Sequence, residues 1–249
     1  MTDTIHIPRD IHPKAILPED RQTTVWRYMD RWKFEDLITN QKLYLCRADR
    51  LQDRFEGTYS REQLLDMNQW LTAKGYENII NHEKEQRQVN RQRFYISSWC
   101  MWPYDLDLMW KAYTKDIHAI VIKSRISFLE TICDRAIEFW PLDVSAVSYF
   151  GHAEGYFIDY FADGFDAFVH KDYHFEIDRE IRILHWSNYA PAQPEAIFLP
   201  VDLSLLIERV VLAPGAKSQD AEEVRKLLDS CGLRNVAVES SRDNREIME

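Results

Sequence analysis

Glycine is scarce in this sequence, with seven in 249 residues. Neither a Gly-x-x-x-x-Gly-Lys-Ser/Thr loop nor a Gly-x-Gly-x-x-Gly turn occurs, which excludes a P-loop and a doubly wound dinucleotide fold. Cysteine is scarcer still. Cys46, Cys100, Cys133 and Cys231 form no Cys-x-x-Cys pair and have no histidine at ligand spacing, so they read as reduced core thiols of a cytoplasmic protein. No stretch approaches the ~20 apolar residues of a membrane span, and the first ten residues hold no apolar signal core, so neither insertion nor export is expected. Positive charge is also in deficit: 31 Lys and Arg against 41 Asp and Glu give a net charge of −10, which leaves no global attraction for nucleic acid.

The residues present are those of an ordered globule, 45% hydrophobic and 13% aromatic with eight tryptophans. Strand-like segments at 24–28, 42–46, 94–102, 119–123, 144–150, 207–215 and 236–240 interleave with helical ones at 33–38, 105–113, 127–139 and 218–228. The expected fold class is α+β, one domain over 1–249 with a mixed β-sheet of about seven strands and flanking helices. Residues 1–22, with Pro8, Pro13 and Pro18, read as an extended arm lying on the surface. Residues 60–93 read as a helical insertion. Ser60 opens it, Leu64, Leu65, Met67, Trp70 and Leu71 form an apolar stripe, Gly75 ends the first helix, and 81–93 is polar all round. Such an insertion is either a solvated helix pair or a lid over a substrate site.

One stretch concentrates charge. Read as a single strand, 175–186 sends Phe175, Ile177, Ile181 and Ile183 to a core face and Glu176, Asp178, Glu180 and Arg182 to the other. Carboxylates this close repel one another unless a cation or metal relieves them, so the stretch is either a candidate site or a structural ladder of Arg and carboxylates. The loop 47–58 carries Arg47, Arg50, Asp53, Arg54 and Glu56 and can be buried only where these residues pair. The aromatics Tyr156, Phe157, Tyr160, Phe161, Phe165 and Phe168 read as core before they read as a stacking platform. His170 and His174 stand four apart, and a zinc site would still need a further ligand.

Several islands together resemble a known pattern. Trp26-Arg-Tyr, the run from Leu43 to Gly57, Ser98-Trp-Cys, Met109-Trp-Lys-Ala-Tyr-Thr, Asp178-Arg-Glu-Ile-Arg-Ile and Val210-Val-Leu-Ala-Pro follow the order of bacterial domain-of-unknown-function family number 2971. The resemblance spans residues 24 to 241, with Arg54 where that family usually has proline and with 60–93 as an added segment. Arg27, the pair Ser97 and Ser98, and Asp178 with Glu180 also resemble, in order alone, the Arg, Ser, Glu pattern of ADP-ribosyltransferases.

The second resemblance implies an enzyme that takes NAD as substrate, a bacterial toxin or phage-defence component, with a partner or antitoxin protein over its cleft and a macromolecular acceptor. It implies catalytic Glu180, Asp178 and Ser98, with nucleotide contacts from Arg27, Tyr28, Ser97, Trp99, Trp110 and Tyr113. In that scheme Arg27 pairs with a pyrophosphate oxygen, Ser98 orients the nicotinamide ribose, and Glu180 holds the ribose 2′-hydroxyl. Two other readings stay open. Asp53, Glu56, Asp178 and Glu180 around a divalent cation, with Arg50 or Arg182 on a phosphate, would make a hydrolase or nuclease. Alternatively Asp53, Glu56 and Glu180 pair with Arg47, Arg50 and Arg182 in the ion network of a non-catalytic interaction module.

Overall fold

The computed structural model describes residues 11–53, 55–59, 61–139, 141–150, 164–188 and 194–241. Arg54, Ser60, His152, the aromatics Tyr156, Phe157, Tyr160 and Phe161, and residues 189–193 with Pro191 lie outside them. In chain order the elements are β1 (Thr24–Met29), α1 (Arg31–Asn40), β2 (Lys42–Arg47), α2 (Arg61–Ala73), α3 (Glu77–Arg91), β3 (Phe94–Cys100), α4 (Asp107–Tyr113), β4 (Ile120–Arg125), α5 (Ile126–Arg135), β5 (Leu142–Ala146), β6 (Ser148–Phe150), β7 (His170–Asp172), β8 (Glu180–Trp186), β9 (Ala196–Pro200), α6 (Leu203–Leu206), β10 (Arg209–Leu212), α7 (Ser218–Ser230) and β11 (Ala237–Ser240). The fold is α+β.

Nine strands form one mixed sheet. Its path is β11-β10-β4-β1-β3-β2-β9, with β8 paired to β3 and β5 paired to β8. Only β10 and β11 run parallel within it. The sheet exceeds the expected seven strands in part because β9 reads as an apolar run without alternation and buries only Leu199. Strand β3 meets β1 only at Trp26↔Cys100, and it meets β2 only at Cys46↔Ile96 and Arg47↔Tyr95. The sheet is therefore forked along that edge, at the level of residues 97–99.

The register assigns every side chain to a face. Val25, Leu43, Leu45, Tyr95, Trp99, Ile120, Ile122, Val144, Ile181, Ile183 and Val210 share one face, and α1, α5, α6 and α7 close the main core over it with Phe34, Ile38, Leu129, Leu206 and Leu228. The opposite face is covered by two smaller clusters instead. Trp26, Trp110, Val121 and Val211 form one, and Phe94, Ile96, Phe165, Phe168 and Leu184 form the other. Ser98, Cys100, Glu180 and Arg182 belong to this second face by register.

Two expectations change. The stretch 175–186 is not one strand: Tyr173–Asp178 is a 3-10 turn, and β8 begins only at Glu180. The Asp172 carboxylate accepts from His174 N and starts the turn, and Arg179 adopts a left-handed φ of 41° that breaks the alternation. Phe175 and Ile177 are accordingly 43% and 46% exposed and not core. The segment 144–150 is likewise two strands, β5 in the large sheet and β6 beside β7 in a separate parallel pair: Val147 N donates to Glu180 O as the last rung against β8, and Ser148 N then turns to Val169 O. From residue 11 onward the arm is fastened to the sheet and to the Phe165 turn. His12 N donates to Asp143 Oδ2 at 2.9 Å, Ile16 N donates to Ser145 Oγ at 2.9 Å, and the His12 ring stacks 3.9 Å from Phe165.

The insertion is a helix pair. Helix α2 buries Met67 and Leu71, whereas α3 buries no whole residue, as its polar sequence requires. No helix among the described residues is long and apolar enough to cross a membrane.

Candidate functional site

The acidic start of β8 lies on the second face, between the two small clusters. Glu180 is opposite Cys100, and Arg182 is opposite Ser98 on one side and Ser145 on the other. Both are buried, 3% and 1% exposed, and with them lies Glu56 at 4% from the loop after β2. Arg182 donates from Nη1 and Nη2 to the two oxygens of Glu56 at 2.6 and 2.9 Å. It also donates from Nε and Nη2 to Glu180 at 2.9 and 3.1 Å, and from Nη1 to Phe168 O at 2.6 Å. Lys171 Nζ completes the set, 2.8 Å from Glu180 Oε2 and 3.9 Å from Glu56 Oε2.

Two carboxylates and two cations in a dry place are tolerable because each charge is compensated. Burial alone would raise the Glu180 carboxyl, but Arg182 and then Lys171 outweigh it and bring the pKa down to about 2. The Arg182 guanidinium, which burial alone would lower, is raised by Glu180 and Glu56. Glu180 is thus ionised across the physiological range.

Asp178 lies just outside this cluster and behaves differently. Half-buried, it has its pKa raised by desolvation against the lowering effect of the Tyr113 hydroxyl and Lys171. The Tyr113 hydroxyl hydrogen-bonds it, and desolvation raises the phenol as well. Tyr113 stacks on Tyr28 with ring centroids 6.5 Å apart, and Tyr28 meets Trp110 edge-on at 5.0 Å. Trp102 donates from Nε1 to Ile177 O and lies 4.4 Å below the Arg179 guanidinium, which fixes the 173–178 turn against this aromatic wall. Ser98, on the same face, is the one residue of β3 that is not buried.

Arg27, Ser97 and Trp99 are brought together elsewhere. Arg27 shares its face with Val25 and Met29, opposite to Trp26 and Tyr28, so it rises on the core side of the sheet. Its guanidinium fills the fork between β1 and β2, donating to Ser97 Oγ and, at 3.1 Å, to Tyr44 O, and it lies 5.7 Å from the Trp99 ring. Trp99 Nε1 in turn donates to Ser97 Oγ at 3.2 Å. Desolvation lowers the Arg27 pKa to about 10, which still leaves it charged at neutral pH. The ordered Arg, Ser, Glu residues therefore divide between the two faces: Arg27 with Ser97 on one, Ser98 with Glu180 on the other.

No family model and no curated protein matches the chain, so the sequence resemblance to the domain-of-unknown-function family gains nothing from those comparisons. Among solved structures, one similarity is to Thermus sp. 2.9 DarT in complex with NAD+. It has 12% sequence identity, covers 91% of this chain and 98% of that one, and gives a TM-score of 0.41.

The remaining expected residues are accounted for by local bonds. Asp53 accepts from Phe55 N at 2.8 Å, Arg50 pairs with Glu195, and Arg47 is buried against Asp49 at 2.7 Å. The carboxylates that a cation-dependent hydrolase would need thus face Arg182, the Tyr113 hydroxyl or a backbone amide. The ion network differs in membership from the expected one: Glu56 and Glu180 hold Arg182 and Lys171, without Asp53, Arg47 or Arg50. His170 Nδ1 bonds Asp166 O and His174 Nδ1 bonds Asp172, and no metal-ligating cluster occurs among the described residues. Lys171 and Tyr149, whose hydroxyl accepts from Glu180 N at 2.8 Å, escape sequence reasoning because no local spacing links them to β8.

Proposed function

We propose that this protein is an NAD-using transferase of the ADP-ribosyl type, with its site around Ser98 and Glu180 on the second face of the sheet. The observation that carries the reading is the position of Ser98: on a strand otherwise buried, this hydroxyl shares a face with Glu180, beside the half-buried Asp178 and the Tyr28–Tyr113 stack. In this reading the aromatic wall of Tyr28, Tyr113 and Trp110 takes the flat nicotinamide, and Ser98 donates to the ribose. Glu180, kept ionised by Arg182 and Lys171, accepts from a ribose hydroxyl and opposes the positive charge that develops at the anomeric carbon. The glycosidic C–N bond breaks, nicotinamide leaves with its electron pair, and a nucleophilic acceptor bonds to the anomeric carbon. Asp178 takes the acceptor's proton. Arg27, already bonded to Ser97 and Tyr44 O, acts as the floor that holds the fork and not as the pyrophosphate ligand.

The test is nicotinamide release from NAD by the purified chain, followed by chromatography. Release that falls at least about 100-fold in Glu180→Gln supports the reading, as loss of a transition-state electrostatic contact of this kind does. A chain that neither releases nicotinamide nor gains thermal stability with millimolar NAD does not carry this function. A second reading rests on one specific observation, the closure of Glu56 and Glu180 on Arg182: a purely structural network in an interaction module. In that case Glu180→Gln changes stability alone.

A further inference from the structure

Helix α3 has no wholly buried residue, yet Arg87 Nη1 and Arg91 Nε are both buried and have no hydrogen-bond partner among the described residues. The two arginines stand four apart and so lie one turn from each other on the same helix face. That face is turned toward the body of the protein. Asn90, its neighbour on the same side, packs so closely on Gly164 that a Cβ there would come within 2.0 Å of Asn90 Nδ2. Gly164 precedes the 3-10 turn Phe165–Phe168, whose last carbonyl receives Arg182. Desolvation lowers the Arg87 pKa, only partly offset by the charges of Glu83 and Tyr59.

A buried guanidinium donor without a partner is costly, and a fold tolerates it where something else completes it. We propose that Arg87 and Arg91 form an anion site on the inner face of α3 for a phosphate-bearing ligand. Two planar forks a turn apart carry two positive charges and more donors than one carboxylate can accept. A phosphate or pyrophosphate, with three or more oxygens and up to two negative charges, matches them in charge and geometry. The site is independent of the NAD reading, since it requires neither Glu180 nor turnover.

The experiment measures both the stability of the free chain and its response to ligand. The probes are sodium pyrophosphate and a short single-stranded oligonucleotide, which distinguish a free nucleotide phosphate from a polynucleotide backbone. The wild-type chain should be stabilised by at least one probe, and Arg87→Met with Arg91→Met should weaken that binding at least about tenfold, with affinity falling as salt rises. In the absence of ligand the same double variant should melt at an equal or higher temperature, because it removes two desolvated donors. A lower melting temperature without ligand would mean that the arginines are structurally paired and would overturn the proposal. Failure of both probes to stabilise the wild type at low salt would overturn it equally.

Discussion

Arg182 and Glu56, 126 residues apart, form a two-pronged ion pair with N–O distances of 2.6 and 2.9 Å in the interior of the protein. The pair fastens the loop after β2 onto the second face of the sheet, and Glu180 and Lys171 make it electrically complete. Several measurable consequences follow from this arrangement.

Removing one member leaves the others uncompensated. Arg182→Met, which exposes Glu56 and Glu180 to each other without a guanidinium between them, should lower stability by about 3–5 kcal/mol in chemical denaturation. Replacing Glu56 by Gln as well should recover part of that loss. Additive effects of the two changes would show that the residues do not share one network.

The same network predicts a stability profile in acid. The Glu180 pKa falls from 4.5 in the unfolded chain to about 2 in the folded one, so its stabilisation is fully present above pH 4.5. It is lost as pH falls through that window toward 2. Melting temperature followed between pH 5 and about 2.5 should therefore decline in the wild type, and Glu180→Gln should flatten the decline.

Asp178 predicts the acid limb of catalysis. Its pKa is raised by desolvation, so the ionised form that would take a proton is depleted at a pH above the ordinary carboxylate range. In the proposed reaction, ADP-ribose transfer to an acceptor should rise with pH through that raised value, and Asp178→Asn should remove the limb while leaving NAD binding in place. A limb unchanged by the substitution would assign it to another group.

Gly57 tests the loop that delivers Glu56. It has φ of +68°, and a Cβ there would sit 2.2 Å from Phe168 Cε1. Gly57→Ala should destabilise the protein by about 1–3 kcal/mol through strain and displacement of that ring. The effect should exceed that of Gly215→Ala, where φ is +85° but no atom lies within 4 Å.

Much of the fold is legible in residue order alone. The alternation of Leu43 and Leu45, or of Ile120 and Ile122, and the helical stripe of α7 reflect local periodicity, and a local pattern is all that strand and helix type require. Alternation misleads at Phe175, Ile177 and Asp178, where the side-chain bond of Asp172 to His174 N makes a turn from residues spaced like a strand.

The site was legible as a set of residues but not as a constellation. Sequence order lines up Arg27, Ser97, Ser98 and Glu180, and it marks Glu56 and Arg182 as charges that must pair if buried. Only the pairing of strands far apart in sequence decided the rest. One register, Trp26↔Cys100↔Glu180, sends Arg27 to the core side and Glu180 to the other, and a slip of one residue would reverse that division. The long-range pairing likewise brought Lys171 to Glu180, because compensation of a buried charge depends on distance in space and leaves no trace in local spacing.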